Sequence, residues 1–350
     1  MNPRRPILPP LSVVIVTHES AAAVARALPA LVSQLEPVDE LIVVDNASAD
    51  DTVAVVERVA PSATVLRNPA NDGFAAAANR GAQAATGELI VFLNPDATPA
   101  PGFGRAIRRP LLDGRGWSAW MGLVTAERGR VVNTNGGVVH FTAIAWAGEA
   151  GAPAPGSLDG PREVAFASGA CLAVPRATWQ RAGGFPERYF MYHEDVDLSL
   201  RLRLAGGRLG IEPRAVVDHD YEFAKGAAKW RLLERNRWAT IMRCYPAGLL
   251  ALLAPGLLAT EVALMAIAAA GGWAPQKARA TADTLGDLRH LVGERRAIQR
   301  TRTVSSAEFA RCLTAELRSP FLGRAARSPL LVAGLRAYWS IVRRLLALRG

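Results

Sequence analysis

The sequence predicts an α/β protein with a doubly wound, mostly parallel sheet flanked by helices. Four short apolar runs rich in β-branched residues alternate with segments of helical composition, which is typical of buried parallel strands joined by crossover helices. These runs are residues 12–16, 41–44, 63–66 and 89–93. Three runs lead directly into polar clusters, namely Thr17-His18-Glu19, Asp45-Asn46 and Asn94-Pro95-Asp96. Ordinary turns and helix caps also favour such residues, but three clusters at strand ends favour a binding site, because ligands meet parallel strands there.

Helices are expected between and after these strands. The candidates are residues 21–35, a stretch from Ser48 or Asp50 to residue 59, and an alanine-rich stretch beginning near residue 73. Residues 100–165 are rich in Gly, Pro and Trp and predict short strands and loops. From residue 164 the pattern predicts a strand and then a helix that Gly183 and Gly184 end.

Residues 188–207 read RYFMYHEDVDLSLRLRLAGG and allow two interpretations. Alternating apolar residues from Val196 to Leu204 suit a strand. Acidic residues at the start, Leu and Arg throughout, and two glycines at the end suit a helix. We predict the helix, with Asp197 paired to Arg201 one turn later.

Charge is unevenly distributed along the 350 residues. Residues 1–222 hold 20 basic and 24 acidic side chains, whereas residues 223–350 hold 21 and 7. We therefore expect a domain at 1–240, with halves at about 11–100 and 101–240, and a basic, apolar helical extension at 241–350. An acidic partner, either anionic lipid or nucleic acid, is expected to contact the extension. The three cysteines are far apart and odd in number, which favours a reduced, cytoplasm-facing protein.

The extension contains a long apolar segment. Residues 246–273 carry Glu261 as their only charge, and roughly 20 apolar residues suffice to cross a bilayer. A single crossing would export the basic residues that follow, against the positive-inside tendency. We expect Pro255-Gly256 to break this segment, giving a hairpin in one leaflet or two packed helices lying on it. Residues 329–350 predict an interfacial membrane helix whose apolar face includes Tyr338, Val342 and Leu346, with packing on the domain as the alternative.

Acidic residues at two places suit group-transfer chemistry. Asp96 lies in a turn after a strand and could hold Mg or Mn against a diphosphate, because carboxylate oxygens are hard ligands. Transfer to a hydroxyl also needs a base. A carboxylate of the downstream Glu194-Asp195 pair can act as one if it lies within hydrogen-bond reach of the acceptor.

Five ordered motifs resemble those of family 2 inverting glycosyltransferases with the GT-A fold. They are SVVIVTHES, IVVDNASADDT, NDGFAAAANRGAQAATGELIVFLNPDATP, SGACLAVPRATWQRAGGFPERYFMYHEDVDLSLRLRLAGG and VVDHD, covering about residues 11–240. The chain is most similar to the bacterial branch that contains rhamnosyltransferases and galactofuranosyltransferases. The resemblance implies a Rossmann-like nucleotide-binding half followed by an acceptor half.

The resemblance also implies which residues bind the donor. The expected donor contacts are Thr17, His18, Glu19, Asp45, Asn46, Gly73, Asn79, Arg80 and Asn94. Asp45 suits the imide N–H of uracil or thymine, and Gly73 would permit close backbone approach to the nucleotide. Asn94 stands where the family's Asp-x-Asp metal motif has its first Asp, so Asp96 is the expected ligand. His219 would complete the metal site, and a surface histidine between two acids is the alternative for His219.

The resemblance places the base in the Glu194-Asp195 pair. We assign Asp195 as the base that deprotonates the acceptor hydroxyl, with Glu194 as the alternative. Tyr189 and Tyr192 are candidate walls of the acceptor pocket. Arg237 and Trp238 belong to ERNRW, which resembles a QxxRW element near the acceptor in some members. We favour anchoring of a basic helix to a surface for these two, with acceptor contact as the alternative.

Together these features imply a metal-dependent inverting glycosyltransferase with Mg or Mn as cofactor. The expected donor is dTDP-L-rhamnose, with UDP-galactofuranose or a UDP-hexosamine as alternatives. The expected acceptor is a polyprenyl-linked or cell-envelope glycan at the cytoplasmic face of the inner or plasma membrane, where the extension contacts anionic lipid. The non-enzymatic alternatives are a basic nucleic-acid-binding protein and an inactive scaffold. We expect no nucleic-acid partner, because the first 222 residues are net acidic and contain no recognisable nucleic-acid-binding motif.

Overall fold

A mixed sheet forms the centre of the computed structural model, which describes residues 8–155, 160–219, 226, 228–318 and 328–348. The strands within these ranges are β1 (Leu11–Thr17), β2 (Glu40–Asp45), β3 (Thr64–Arg67), β4 (Leu89–Leu93), β5 (Thr98–Pro99), β6 (Trp117–Ala126), β7 (Val131–Thr134), β8 (Gly137–His140), β9 (Ala145–Ala147), β10 (Arg162–Glu163), β11 (Cys171–Pro175), β12 (Arg208–Asp218) and β13 (Leu313–Thr314). The main sheet runs β10-β12-β6-β11-β4-β1-β2-β3, with β5 paired to β12 and β7 to β6. Strands β13, β8 and β9 form a smaller sheet.

The main sheet is mostly parallel, as the sequence predicts. Strand β1 pairs in parallel with β2 and β4, and β2 pairs in parallel with β3. Strand β11 lies antiparallel between β4 and β6, so β6 and its parallel neighbour β12 point in the same direction as β4. The carboxyl ends of β1, β2, β4 and β12 therefore lie at one edge of the sheet. The four predicted apolar strands correspond to β1 to β4.

Helices cover the sheet and continue beyond it. In the described ranges they are α1 (Ala21–Val32), α2 (Thr52–Val59), α3 (Gly73–Ala84), α4 (Phe103–Ala106), α5 (Arg109–Leu112), α6 (Arg176–Ala182), α7 (Glu194–Leu204), α8 (Ala228–Cys244), α9 (Ala247–Ala270), α10 (Ala274–Gly286), α11 (Leu288–Arg300), α12 (Ser306–Phe309) and α13 (Pro329–Ala347). Helices α1, α2 and α3 connect the first four strands. Helix α6 ends at Gly183, which has a left-handed backbone (φ +74°) that suits glycine.

Helix α7 confirms the helical interpretation of residues 188–207. Its first turn carries Glu194, Asp195 and Asp197, where the helix dipole favours negative charge. The predicted ion pair is present, since Arg201 Nε donates to Asp197 Oδ1 at 2.6 Å.

The alternating leucines of α7 have a tertiary explanation. Leu198 and Leu202 belong to the core of the main sheet. Val196, Leu200 and Leu204, four residues apart on the opposite side of the helix, belong to a second core built with α8, α9 and α13. Because α7 separates two hydrophobic cores, both of its faces are apolar, and this produces the apparent period of two.

Helix α9 runs without interruption through Pro255-Gly256, so the predicted break is wrong. Proline lacks a backbone donor, and a tyrosine from α13 stabilises the chain at this point. The Tyr338 hydroxyl donates to the Leu252 carbonyl at 2.7 Å and accepts from the Gly256 N–H at 3.2 Å. These two backbone groups, four residues apart, would bond to each other in a regular helix. A Cβ at residue 256 would lie 2.7 Å from the Tyr338 ring, so only glycine admits this contact.

Helix α13 packs on the protein through the face predicted to meet a membrane. Its Trp339 stacks on Phe141 with ring centroids 5.3 Å apart. Val342 and Leu346 are buried in the same core. The packed-helix alternative therefore holds for these residues, while Leu331 and Leu345, which belong to the same predicted face, and Ile341 are exposed.

The one charged side chain of α9, Glu261, points into the protein. Its carboxylate accepts hydrogen bonds from Arg237 and from Lys277 Nζ. Glu234 binds the same two cations, so two carboxylates and two cations compensate one another in the interior. Next to Glu261 on the helix, Leu258, Val262 and Met265 are exposed apolar side chains, and Ile267 is exposed as well. By length and composition α9 could also cross a membrane.

Candidate active site

Thr17 and Asp45 lie side by side at the carboxyl ends of β1 and β2. Both are buried, and the Thr17 hydroxyl donates to Asp45 Oδ1 at 3.1 Å. The backbone N–H of Ser48 donates to Asp45 Oδ2 at 3.2 Å. Two donors therefore fix the orientation of this carboxylate at the sheet edge.

His18 and Glu19 tie the loop after β1 to the loop after β2. His18 Nδ1 lies 2.9 Å from the Asn46 carbonyl oxygen, and Glu19 Oε1 accepts from the Ala49 N–H at 2.7 Å. Glu19 and Ala47 have φ values of +49° and +61°. Positive φ is uncommon for residues with a side chain and concentrates at functional sites. The exposed rings and carboxylates of these loops stand beside the buried Asp45.

Asn46 extends this cluster toward α3 through two asparagines that the sequence analysis did not single out. Its Nδ2 donates to Asn71 Oδ1 and its Oδ1 accepts from Asn68 Nδ2, both at 2.8 Å. Arg80, a predicted donor residue, donates to Asn68 Oδ1. Asn68 and Asn71 flank Pro69 directly after β3, and a polar cluster after a strand is the signal that could have found them.

Gly73 and Asn79 serve the protein's own packing in this structure. A Cβ at Gly73 would lie 2.5 Å from Phe190, so glycine permits a close approach of the backbone to Phe190. Asn79 Nδ2 donates to the Phe185 carbonyl at 2.9 Å, and its Oδ1 accepts from the Phe185 N–H at 2.8 Å. Gly73 and Asn79 therefore contact the segment that leads to Glu194, and their donor contacts stay predictions.

Asn94, Asp96 and His219 meet at the same edge of the sheet. His219 Nε2 lies 3.0 Å from Asp96 Oδ1 and 3.3 Å from Asn94 Nδ2. His219 follows β12 and is only 3% exposed, which contradicts the alternative of a surface histidine. Asp218 turns away and accepts from Thr125 and from the Gly129 N–H. Asp220, the other flanking acid, lies outside the described residues.

The Asp96 and His219 side chains fit a divalent cation. A carboxylate oxygen suits Mg or Mn, and an imidazole nitrogen is a ligand for several divalent metals. Asp96 Oδ1 and His219 Nε2 lie 3.0 Å apart, so both atoms could bind the same ion. Among the residues that the structure describes, no group of three or more His, Cys, Asp and Glu side chains could hold a metal ion. A cation here would therefore need further ligands from solvent or substrate.

The Glu194-Asp195 pair is linked to Asn94 through residues 168–170. The Asn94 N–H donates to the Ala170 carbonyl at 3.2 Å, and the Gly169 N–H donates to Asp195 Oδ2 at 2.9 Å. The Val196 N–H donates to Asp195 Oδ1 at 2.7 Å. This connection places the acid pair near the carboxyl end of β4, beside the Asn94-to-Asp96 turn.

The two acids differ in their surroundings. Burial and the neighbouring Asp195 charge raise the pKa of Glu194 well above its usual value. Burial also raises the pKa of Asp195, although the Gly169 and Val196 N–H groups oppose the shift. Glu194 Oε2 is buried and has no hydrogen-bond partner among the described residues. Asp195 is partly exposed, so it is the acid of the pair that solvent and an acceptor can reach.

Comparison with known proteins bears on the family and the fold. The family described as "Glycosyl transferase family 2" matches residues 12–117. The chain carries a family 2 glycosyltransferase domain. It is 29% identical over 245 residues to the N-acetylglucosaminyl-diphospho-decaprenol L-rhamnosyltransferase of Mycobacterium tuberculosis, covering 62% of this chain and 78% of that protein.

Two solved structures show the fold of this glycosyltransferase. GalNAc-T7 with UDP, GalNAc and Mn2+ superposes with a TM-score of 0.58 at 16% identity, covering 71% of this chain and 51% of that one. TarS of S. aureus in complex with UDP-GlcNAc superposes with a TM-score of 0.55 at 17% identity, covering 96% and 90%. The mostly parallel sheet with its helical extension therefore has the GT-A architecture that the motifs predict.

Two of the residues predicted near the glycosyltransferase's acceptor lie in its interior. The Tyr189 hydroxyl lies 2.9 Å from Thr240 Oγ1 and 3.3 Å from Asp197 Oδ2. Arg237 is buried between the carboxylates of Glu234 and Glu261. Their polar groups are satisfied by neighbouring side chains, so we withdraw Tyr189 and Arg237 from the predicted acceptor contacts.

The other two predicted acceptor residues are half-buried. The Tyr192 ring lies 5.8 Å from Lys229 Nζ, close to the acid pair along the chain. Trp238 packs against the second core and lies 5.3 Å from the Arg237 guanidinium. Tyr192 stays a predicted acceptor residue, and for Trp238 the packing supplies a structural role.

A cavity of about 480 Å³ lies behind the acid pair, between the 182–189 segment and α8 and α11. It is lined by Asn236, Arg243 and His290 and does not include Asp45, Asp96 or Asp195. Of the predicted site residues, Asn79 and Tyr189 line this cavity, whereas Asp45, Asp96 and Asp195 lie outside it.

Proposed function

We propose that this glycosyltransferase transfers L-rhamnose, with inversion, from dTDP-L-rhamnose to a hydroxyl of a polyprenyl-linked glycan at the cytoplasmic face of the membrane. The observation that carries this choice is the likeness to a decaprenol-linked rhamnosyltransferase over 78% of that protein's length. In this proposal residues 1–240 form the catalytic domain and residues 241–350 form the membrane-associating extension.

Donor binding would use the carboxyl edge of β1 and β2. Asp45, held by Thr17 and Ser48, offers a fixed carboxylate to the imide N–H of thymine. Uracil has the same imide, so this contact suits a UDP sugar equally and leaves UDP-galactofuranose or a UDP-hexosamine as the alternative donor. His18, Glu19 and Asn46 would contact the base and ribose from the two linked loops.

A divalent cation, Mg or Mn, would be held by Asp96 and His219. When bound, it neutralises charge that develops on the leaving diphosphate. Asn94 Nδ2 lies 3.3 Å from the same His219 Nε2 atom, so Asn94 would lie beside the cation. GalNAc-T7, which shares the fold, was solved with Mn2+ and UDP, which supports a divalent cation in general.

Asp195 would act as the base that removes the proton from the acceptor hydroxyl during its attack on the anomeric carbon. The Gly169 and Val196 N–H groups hold its carboxylate in place. A raised pKa makes a carboxylate a stronger proton acceptor at neutral pH. Attack from the face opposite the departing diphosphate gives inversion in one step.

The exposed apolar face of α9 would rest on the membrane. Glu261 points inward to Arg237 and Lys277, so the helix lies with one side on the protein. Leu258 and Val262 of the same helix are more than 60% exposed, which suits insertion into one leaflet. The basic side chains of the extension would contact anionic headgroups.

A donor panel tests the proposal. Purified protein is incubated with N-acetylglucosaminyl-diphospho-polyprenol and dTDP-L-rhamnose, UDP-galactofuranose or UDP-GlcNAc, and nucleotide release and product mass are measured. We expect dTDP release with a rhamnosylated product. Release only from a UDP sugar would establish the alternative donor. No release from any donor, together with salt-sensitive DNA binding, would refute the enzymatic proposal and favour the nucleic-acid alternative.

A further inference from the structure

The segment before the acid pair has an unusual backbone. Phe190 has φ +64° and ψ −65°, and the Met191 N–H donates to the Tyr189 carbonyl at 2.7 Å. This is a γ-turn with positive φ, a rare and strained conformation. Tyr192 and His193 follow with φ +70° each, and His193 is the residue that begins α7.

A buried asparagine from α8 binds this segment. Asn236 is fully buried, and its Nδ2 donates to the carbonyls of Tyr189 at 3.0 Å, Met191 at 2.9 Å and Tyr192 at 2.7 Å. An amide nitrogen has two hydrogens, so the three carbonyls share them and must converge on one point.

Neighbouring donors complete the support of the segment. Arg235 donates to the carbonyls of Arg188 and Tyr189, and the Arg235 Nε donates to Asn236 Oδ1 at 2.9 Å. The Ala75 N–H donates to the Phe190 carbonyl at 3.1 Å. Successive carbonyls of the segment thus point to donors outside it, which fixes the orientation of its peptide planes.

We propose that Asn236 is a positioning residue that holds residues 189–193 in this strained conformation and thereby sets the place of the Asp195 carboxylate beside Gly169. The inference rests on the proposed role of Asp195. Asp195 is two residues beyond the strained segment, so a relaxed backbone at Tyr192 and His193 would move the start of α7. A displacement of about 1 Å at a reacting group lowers turnover by about 100-fold.

Asn236→Leu removes the donor while keeping the side-chain size, and Asn135→Leu is the matched control. Asn135 is also buried, but its Nδ2 donates to Glu149, away from the acid pair. We expect Asn236→Leu to lower kcat by about 100-fold with the donor KM within about twofold, since the predicted donor residues lie on other loops. Hydrogen exchange of a peptide covering residues 187–197 should accelerate in Asn236→Leu and stay unchanged in Asn135→Leu.

A kcat within twofold of the unaltered protein, or an equal loss in Asn135→Leu, would overturn the inference. If Asn236→Leu does not fold, Asn236→Ser takes its place, because serine retains one donor. Asn236→Ser should show an intermediate loss of kcat with the same donor KM. An unchanged kcat in Asn236→Ser would also overturn the inference. A fully native chain that transfers no sugar would refute the proposed function instead. The exchange measurement needs no substrate, so it tests the support of residues 189–193 separately.

Discussion

The Nε2 atom of His219, at the end of β12, lies 3.0 Å from Oδ1 of Asp96, in the turn after β4. The two strands are separated by β11 and β6 in the sheet. Their carboxyl ends share an edge because the two intervening strands reverse direction and then restore it. The topology of the sheet thus converts two distant polar turns into one pair of potential metal ligands.

Removal of this pair should remove metal-dependent activity. Asp96→Asn and His219→Ala are each expected to lower kcat/KM by at least about 100-fold, because Lewis-acid stabilisation of a leaving group contributes several kcal/mol. Chelation by EDTA should suppress the unaltered enzyme, and added Mn or Mg should restore it. Asp113→Asn, at an exposed acid directly after helix α5, is the control. Full activity in EDTA would contradict the metal assignment.

Substitution of each acid in the pair should identify the base. Asp195→Asn is expected to abolish transfer while donor binding persists, whereas Glu194→Gln should retain most activity because Glu194 is the more buried acid and is less accessible to an acceptor. For each variant, the rate of sugar transfer is measured, and donor binding is measured by calorimetry. Loss of turnover in Glu194→Gln but not in Asp195→Asn would move the base to Glu194.

The same pair predicts the pH dependence. Burial raises the pKa of Asp195 above its ordinary value of 3.8. A base works only when deprotonated, so activity should be full above the raised pKa and fall as the pH drops through it. The acidic limb of kcat/KM should therefore lie above pH 3.8. An acidic limb at or below that value would contradict the assignment.

The buried carboxylate of Asp197 should be important for stability. Burial alone would raise the pKa of Asp197, but Arg243 and Arg201 outweigh burial and lower it. This stabilisation is present above the ordinary pKa and is lost as pH falls through the lowered pKa. Asp197→Asn leaves two buried cations without their partner, and we expect a loss of about 3–5 kcal/mol in urea unfolding at neutral pH.

An exposed ion pair provides the comparison for Asp197. Asp283 accepts two hydrogen bonds from Arg231 at the surface. Asp283→Asn should lower the free energy of unfolding by no more than about 1 kcal/mol. Equal losses in the two variants would show that burial does not distinguish them and would contradict our interpretation of the network around Asp197.

The Tyr338 hydroxyl should stabilise the packing of α13 on α9. Tyr338→Phe leaves the Leu252 carbonyl and the Gly256 N–H without this partner, and we expect unfolding to become easier by about 1–3 kcal/mol. Tyr245→Phe is the matched control, because the Tyr245 hydroxyl reaches its acceptor, the His140 carbonyl, only at 3.5 Å. If Tyr338→Phe lowers the free energy of unfolding no more than Tyr245→Phe does, the stabilising role of the Tyr338 hydroxyl is contradicted.

The exposed face of α9 should decide membrane association. A Leu258→Glu and Val262→Glu double variant places two charges on this face, and we expect it to reduce the fraction that floats with anionic vesicles in a density gradient. Leu112→Glu, at an exposed leucine on the main domain, should float like the unaltered protein. If the double variant floats as much as the unaltered protein, this face of α9 does not contact the membrane.

Local sequence pattern predicted the parts of the protein that depend on near neighbours. The runs that form β1 to β4 were identifiable because β-branched apolar stretches of that length suit buried strands. The start of α7 followed from acids at a helix N-terminus. The polar turns at Asp45, Asp96 and Glu194 were identifiable as candidates because each lies next to an element end.

Distant contacts decided the rest. Asn236 looked like an ordinary helix residue, and only the fold brings the Tyr192 carbonyl to it. Tyr189 and Arg237 looked accessible, but their polar groups found partners in the interior.

The sequence by itself therefore determined the mostly parallel sheet, the acidic helix and the family resemblance. The tertiary structure decided that α9 is continuous, that His219 lies against Asp96, and which aromatic and basic side chains are buried. The physical reason is that backbone preference and hydrophobic period act over a few residues. Burial and charge compensation depend on segments such as α8, α9 and α13 that meet only after the chain has folded.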